Sequence, residues 1–183
     1  MNAADFSKIT RSIIYVDDAV YLGLMFLIPI LFILILIRGK EAINVFAEVS
    51  MRLVRLACLV FFAIVIANIS FARYNNNEAE RDFIISFING PHWYQVVVPF
   101  INYGVLPLLL FIPAFKRNFN VAFGIALFWI ISIQWLNYQA NIFNNRPGFE
   151  QNMNWSEYGT KISMFLGIYV LYLVIYLNRK QKV

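Results

Sequence analysis

Charged residues are scarce in this sequence: Asp, Glu, Lys and Arg make up 14% of its 183 residues, while 61% are hydrophobic. A soluble domain carries about 25% charged residues, so this shortage argues against an ordinary soluble protein. The long apolar runs predict an all-α integral membrane protein. A transmembrane barrel would instead show many short alternating segments with a much weaker signal.

Cysteine and histidine are each present once, as Cys58 and His92. The sequence therefore has no disulfide framework, no Cys/His zinc spacing and no pair of histidines that could hold a haem. It also lacks a Gly-rich phosphate loop and a nucleophile elbow. We predict no metal site and no catalytic residue, so any chemistry would need a bound organic cofactor or a partner subunit. No loop is long enough to form a basic nucleic-acid-binding domain.

Five apolar stretches approach the ~20 residues that a helix needs to cross about 30 Å of hydrocarbon. We expect one transmembrane domain over residues 1–183, because no polar segment is long enough to fold separately. The first eighteen residues are polar, so the first stretch is interpreted as a retained span and not as a signal peptide. The predicted spans cover about residues 19–37, 54–71, 94–115, 121–142 and 159–177.

Basic residues are distributed unequally between the two ends of the predicted spans. One set of flanks carries nine basic and two acidic residues, and the other carries six basic and eight acidic residues. Because basic flanks stay in the cytoplasm, we predict an outside N-terminus and a cytoplasmic C-terminus in a multi-pass protein of the cell inner membrane. No charged residue falls at mid-membrane depth, which argues against a self-sufficient ion pump.

The predicted third span contains helix breakers, Pro99 and Pro107, on either side of Asn102-Tyr103-Gly104. Pro107 has no N–H for the carbonyl of Tyr103, so the helix should kink here and leave carbonyls that need partners. One interpretation is that neighbouring helices, waters and serine side chains supply those partners. The other is a cavity toward the outer face for the head group of a lipid-soluble ligand, lined by Asn68, Asn102, Tyr103, Gln134 and Tyr169.

His92 precedes Trp93 and Tyr94 at the outer end of the third span. The aromatic pair is typical of an interfacial belt. His92 is the one side chain that changes charge near neutral pH, so it could exchange a proton between a ligand and the outer water, although an interfacial structural role is the alternative. In the fifth span, Tyr169 shares a helix face with Tyr172 and Tyr176, which predicts contact with another helix.

The segment order resembles a known membrane-anchor family. A span ends in "FARYNNNEAERDFIISFINGPHWY", and "VVVPFINYGVLPLLLF", an inner "KRN" turn and "IQWLNYQANIF" follow it. This order, over about residues 50–178, resembles the carboxy-terminal half of the polysulfide-reductase membrane anchors, especially the quinol-interacting subunits of alternative complex III. Family members have a second helical bundle, which holds most of their quinol-site residues. The resemblance therefore implies a half-size subunit, which either contacts quinol through its own polar layer or has lost the quinol site.

Two functions follow from these observations. The resemblance implies a membrane subunit of a respiratory or electron-transfer complex that anchors protein partners and contacts quinone or quinol in the outer half of the bilayer. Quinol oxygens would then be served by His92 and by Asn102, Tyr103 or Gln134. The alternative is a small transporter or a structural or assembly membrane protein without a redox role, in which the same polar groups join helices to each other.

Overall fold

The fold is built from helices, as the sequence predicts. In a computed structural model of the chain, the residues described are 3–74, 93–143 and 155–180, and none of them lies in a strand. The helices are α1 (Ala3–Arg38), α2 (Asn44–Tyr74), α3 (Tyr94–Pro99), α4 (Leu106–Leu108), α5 (Phe119–Phe143) and α6 (Trp155–Lys180). A π-helix (Phe100–Val105) joins α3 to α4, and a 3-10 turn (Leu109–Phe111) follows α4. We call Tyr94–Phe111 the third helical segment.

Three of the helices are long and apolar enough to cross a membrane: Lys8–Arg38, Asn44–Phe71 and Ser156–Lys180. Two shorter apolar helices, Val97–Phe111 and Phe119–Trp135, accompany them. These lengths and compositions indicate a membrane protein, which agrees with the low charge content of the sequence.

The first two helices are joined by a tight turn at Gly39. This residue has a φ of 84°, in the left-handed region that favours glycine, and its N–H donates to the carbonyl of Ile35 over 2.9 Å. Such a glycine ends a helix by satisfying one of its last carbonyls. A short 3-10 helix, Glu41–Ile43, then leads directly into α2.

The third helical segment ends at Phe111, four residues before the predicted end of the third span at residue 115. The next residue, Ile112, is extended, with ψ at 128°. Pro113 follows it, and the proline ring disfavours the helical conformation of the preceding residue. The proline therefore explains why the helix ends before the apolar run does.

Helix α1 lies at the centre of the bundle and packs against α2, α5 and α6. Its buried face includes Leu24 and Ile28, both fully buried. Phe32 stacks on Phe123 of α5, with ring centroids 3.9 Å apart. Much apolar surface faces outward, for example Leu36 at 71% exposure. This inside-out distribution is expected for helices whose solvent is lipid.

Candidate functional site

The centre of the candidate site is the π-helix, where the sequence predicts an irregular helix. Pro99 immediately precedes it, and the N–H of Leu106 donates five residues back, to the carbonyl of Ile101. Pro107 has no N–H, so it cannot serve either the carbonyl of Asn102, five residues back, or that of Tyr103, four residues back. Pro107 therefore removes one backbone donor from this turn of the π-helix. Single π-helical turns of this kind often occur at functional sites.

Side chains from two other helices donate to these two carbonyls. The indole Nε1 of Trp129 on α5 donates to the Asn102 carbonyl over 2.7 Å. The hydroxyl of Tyr21 on α1 donates to the Tyr103 carbonyl over 2.7 Å. The Trp129 bond is short for an N–H donor, the Tyr21 bond has the usual length for a hydroxyl donor, and both donors are buried, with Trp129 at 1% and Tyr21 at 4% exposure. These two bonds tie the π-helix to α5 and α1.

The next carbonyl, that of Gly104, contacts α2. The Cys58 Sγ of α2 lies 3.4 Å from it and can donate weakly. A Cβ added at Gly104 would lie 3.1 Å from the ring of Phe61 and 3.2 Å from that of Phe62. The glycine is thus required for the close approach of the third helical segment to α2.

Aromatic rings surround these hydrogen bonds. The ring of Tyr21 lies 4.6 Å from that of Tyr103 and 5.2 Å from that of Trp129, the latter edge to face. Such ring pairs contribute about 0.5–1.5 kcal/mol each beyond the burial of their area. The donors on α1 and α5 are therefore fixed by packing as well as by hydrogen bonds.

One polar atom in this region has no partner. Asn102 is 1% exposed, and its side-chain Oδ1 accepts no hydrogen bond from any described residue. Leaving a buried polar group unpaired costs about 1–3 kcal/mol. A buried amide oxygen without a donor is therefore a candidate contact for a ligand hydroxyl or a water.

A second acceptor lies in the wall of a groove between α1 and α2. The groove has a volume of about 270 Å³, and Ile168 of α6 also lines it. Its lining is apolar, as with Val20 and Leu53, except for the carboxylate of Asp17, which is 8% exposed. Asp17 interacts electrostatically with Tyr21, so the groove borders the hydrogen-bonded cluster around the π-helix.

The structure brings together only part of the predicted site. Asn102 and Tyr103 are both in the π-helix, and their carbonyls face α5 and α1. Asn68 on α2 and Gln134 on α5 are exposed, so they do not line an enclosed cavity with Asn102. His92 lies outside the described residues.

Tyr169 is buried in a different contact, between α6 and the start of α2. Its hydroxyl donates to the Phe46 carbonyl over 3.0 Å and lies 3.3 Å from the Ser50 hydroxyl. Farther along the same face, the Tyr176 hydroxyl donates to Glu48. The prediction that this tyrosine face meets another helix is confirmed, and Tyr169 has a helix-joining role in the structure.

Three residues of the site were not predicted from the sequence: Asp17, Tyr21 and Trp129. We assigned Asp17 to the polar segment before the first span, whereas α1 continues through it and buries its side chain. A signal was present, because Asp17, Tyr21, Leu24 and Ile28 follow the spacing of one helix face. Nothing in the sequence pairs Trp129 with a particular carbonyl.

The two side-chain groups that this region offers to a ligand, Oδ1 of Asn102 and the carboxylate of Asp17, are both acceptors, which suits a ligand with O–H, N–H or cationic groups. Within the described ranges, no cluster of three or more His, Cys, Asp or Glu residues could hold a metal ion. No protein-family model matches the chain, and neither a curated protein nor a solved structure shows detectable similarity to it.

Proposed function

We propose that the chain forms a five-span bundle in the cell inner membrane, with its N-terminus outside and its C-terminus in the cytoplasm. The basic flanks support this topology, because Lys180 interacts electrostatically with Glu48, and Arg117 does so with Tyr176. These contacts bring the ends of three helical segments to one end of the bundle. Helix α5 has 25 residues, or about 37 Å at ~1.5 Å per residue, which is enough to span.

We infer that this bundle is a membrane subunit of a respiratory or electron-transfer complex, which anchors partner subunits and contacts quinol in the outer half of the bilayer. The supporting observation is the Oδ1 of Asn102, a buried acceptor without a donor, in the segment where the sequence predicts a ligand site. The role as a complex subunit comes from the resemblance of residues 50–178 to the membrane-anchor family.

Quinol fits the chemistry of this region. Each quinol hydroxyl is a donor, and the unpaired oxygen of Asn102 can accept from it. The reduced carrier would therefore gain a hydrogen bond that the quinone, which has only acceptors, cannot form. The nearby rings of Tyr21 and Tyr103 offer faces on which a quinol ring can pack.

The test is the exchange Asn102→Ala, with Ser132→Ala as the matched control. Asn102→Ala removes Oδ1 but keeps the main-chain carbonyl that binds Trp129. Ser132 is also buried in this bundle, but its hydroxyl donates within its own helix, to the Phe128 carbonyl. We expect the total of quinol and quinone that co-purifies with the quinol-reduced complex to fall only in Asn102→Ala. Equal quinone content in both variants, with intact assembly, would contradict the proposal.

The alternative is a structural or assembly protein, or a small transporter, without a redox role. A specific observation favours it: side chains of this chain already donate hydrogen bonds to the carbonyls of Asn102, Tyr103 and Gly104. Polar groups that join helices need no ligand. The exposed Gln134 separates the two functions, since Gln134→Leu should reduce redox activity without loss of assembly if quinol contacts this residue. Loss of assembly in a complex that holds no quinone would favour the structural role.

A further inference from the structure

Asp17 is a buried carboxylate without a counter-ion. Its side chain is 8% exposed, and no Lys or Arg among the described residues forms an ion pair or hydrogen bond with it. The neighbouring carboxylate of Asp18 repels a negative charge on Asp17. Burial of a charge without a partner is costly, so the site favours either a proton or a bound cation at this carboxylate.

A lysine beside Asp18, the neighbour of Asp17 in the sequence, is already paired with other acids. Lys161 on α6 lies 3.1 Å from the Glu157 carboxylate and 3.4 Å from that of Asp18. Its ammonium group also lies 5.1 Å from the centre of the Tyr15 ring. Lys161 therefore compensates Glu157 and Asp18, and among the described residues no ion pair compensates the negative charge of Asp17.

The groove in front of Asp17 is apolar over the rest of its lining. Val20 and Leu53 form parts of the walls, and Leu56, at 47% exposure, lies at its open side. A small hydrated ion would lose its water here without gaining further oxygen ligands. An ion whose charge is carried by an apolar body would instead bury that body against the walls while the charge reaches the carboxylate.

We propose that this groove binds a lipophilic monocation, an amphiphile with an ammonium head and an apolar chain, with Asp17 as its counter-ion. Charge complementarity positions the head, and burial of the chain contributes about 25 cal/mol per Å² of apolar area removed from water. The proposal does not depend on the quinol proposal, which concerns Asn102 on a different helix.

The experiment uses the full chain in phosphatidylcholine nanodiscs and radiolabelled decyltrimethylammonium, whose charge does not depend on pH. Binding to empty nanodiscs is subtracted, and unlabelled decanol tests whether the apolar chain alone competes. We expect saturable binding that decanol does not displace. Absence of saturable binding, or equal competition by decanol, would overturn the proposal.

Two carboxylates provide a matched pair of variants. Asp17→Asn keeps the size of the side chain and removes its charge, so we expect the affinity to fall by about tenfold or more, which corresponds to ~1.4 kcal/mol. Asp18→Asn removes an exposed carboxylate that pairs with Lys161, and we expect an affinity close to that of the original chain. Equal affinities for the two variants would contradict a role for Asp17.

A steric variant keeps the test valid if Asp17→Asn does not fold. Val60 lines the groove and is half-buried, so Val60→Phe should fill part of the space without removal of the carboxylate. We expect weaker binding of decyltrimethylammonium in this variant. Unchanged binding would show that the cation binds elsewhere on the protein.

Discussion

The indole nitrogen of Trp129 donates a 2.7 Å hydrogen bond to the main-chain carbonyl of Asn102, a carbonyl for which Pro107 offers no backbone donor. The side chain on α5 thus replaces the backbone bond that the proline removes. Because Trp129 is 1% exposed, bulk water does not reach this bond to replace the donor. Loss of this bond should therefore destabilise the packing of the π-helix against α5.

Trp129→Phe tests this dependence. The variant keeps a buried aromatic ring and removes the N–H, so the Asn102 carbonyl loses its donor. We expect the free energy of unfolding to fall by about 1–3 kcal/mol, the cost of an unpaired buried acceptor. Thermal unfolding in mild detergent measures it. Trp135→Phe is the control, since Trp135 is 40% exposed, and an equal loss in both variants would contradict the assignment.

Tyr21→Phe removes the second donor to the π-helix. The ring contacts with Tyr103 and Trp129 remain, and only the hydroxyl that binds the Tyr103 carbonyl is lost. We expect destabilisation of about 1–3 kcal/mol for the same reason. Tyr15→Phe is the control, because the Tyr15 hydroxyl makes no hydrogen bond with the described residues. Unfolding of Tyr21→Phe at the temperature of the original chain would show that the Tyr103 carbonyl finds another partner.

Much of the fold was predictable because it depends on local properties. Apolar length predicts the helical stretches, and Pro99 and Pro107 predict an irregular third segment, which the structure contains as a π-helix. Its end at Phe111 was also readable from the sequence, since Pro113 disfavours a helical Ile112. The predicted span extends farther because hydropathy does not distinguish an apolar helix from an apolar turn.

The site was less predictable because it depends on which helices meet. Asn102 and Tyr103 follow from the prolines, whereas Trp129 reaches a carbonyl on another segment. Tyr169 illustrates the opposite error: the sequence grouped it with Asn102 in a cavity toward the outer face, by position along the spans, but the packing of α6 on α2 brings its hydroxyl to the Phe46 carbonyl. Depth along one helix carries no information about the partner across the bundle.

Replacement of Gly23 by alanine should lower the stability of the protein, although it adds only one methyl group. A Cβ at this position of α1 would lie 2.0 Å from Cγ of the Phe165 ring, so Gly23→Ala must move α6 or the ring. We expect destabilisation of about 1–3 kcal/mol, the usual cost of overpacking. Gly124→Ala is the control, because nothing lies within 4 Å of a Cβ there.

The Gly124→Ala control should be stabilised by about 0.5–1 kcal/mol, as expected when alanine replaces glycine inside a helix. The double variant Gly23→Ala with Phe165→Leu should recover part of the loss, because leucine removes the ring that obstructs the new Cβ. Failure of Gly23→Ala to lower the unfolding temperature would contradict the close packing of α1 against α6.

The proposed topology places two exposed residues, Gly159 and Lys116, on opposite sides of the membrane, which cysteine labelling can test. Cys58 is fully buried, so a membrane-impermeant maleimide should not modify it in intact cells. We expect Gly159→Cys to be labelled from outside, and Lys116→Cys to be labelled only after the membrane is opened. Labelling of both positions from the same side would contradict five spans with the N-terminus outside.

The role as a subunit of an electron-transfer complex is tested by affinity purification from the native membrane in mild detergent. Mass spectrometry identifies the co-purifying proteins, and an optical spectrum is recorded from the same sample. If the chain has this role, we expect haem and iron–sulfur subunits in fixed ratio to it, together with bound quinone. Purification of the chain alone and without colour would contradict a role in an electron-transfer complex and would favour the structural or transporter function.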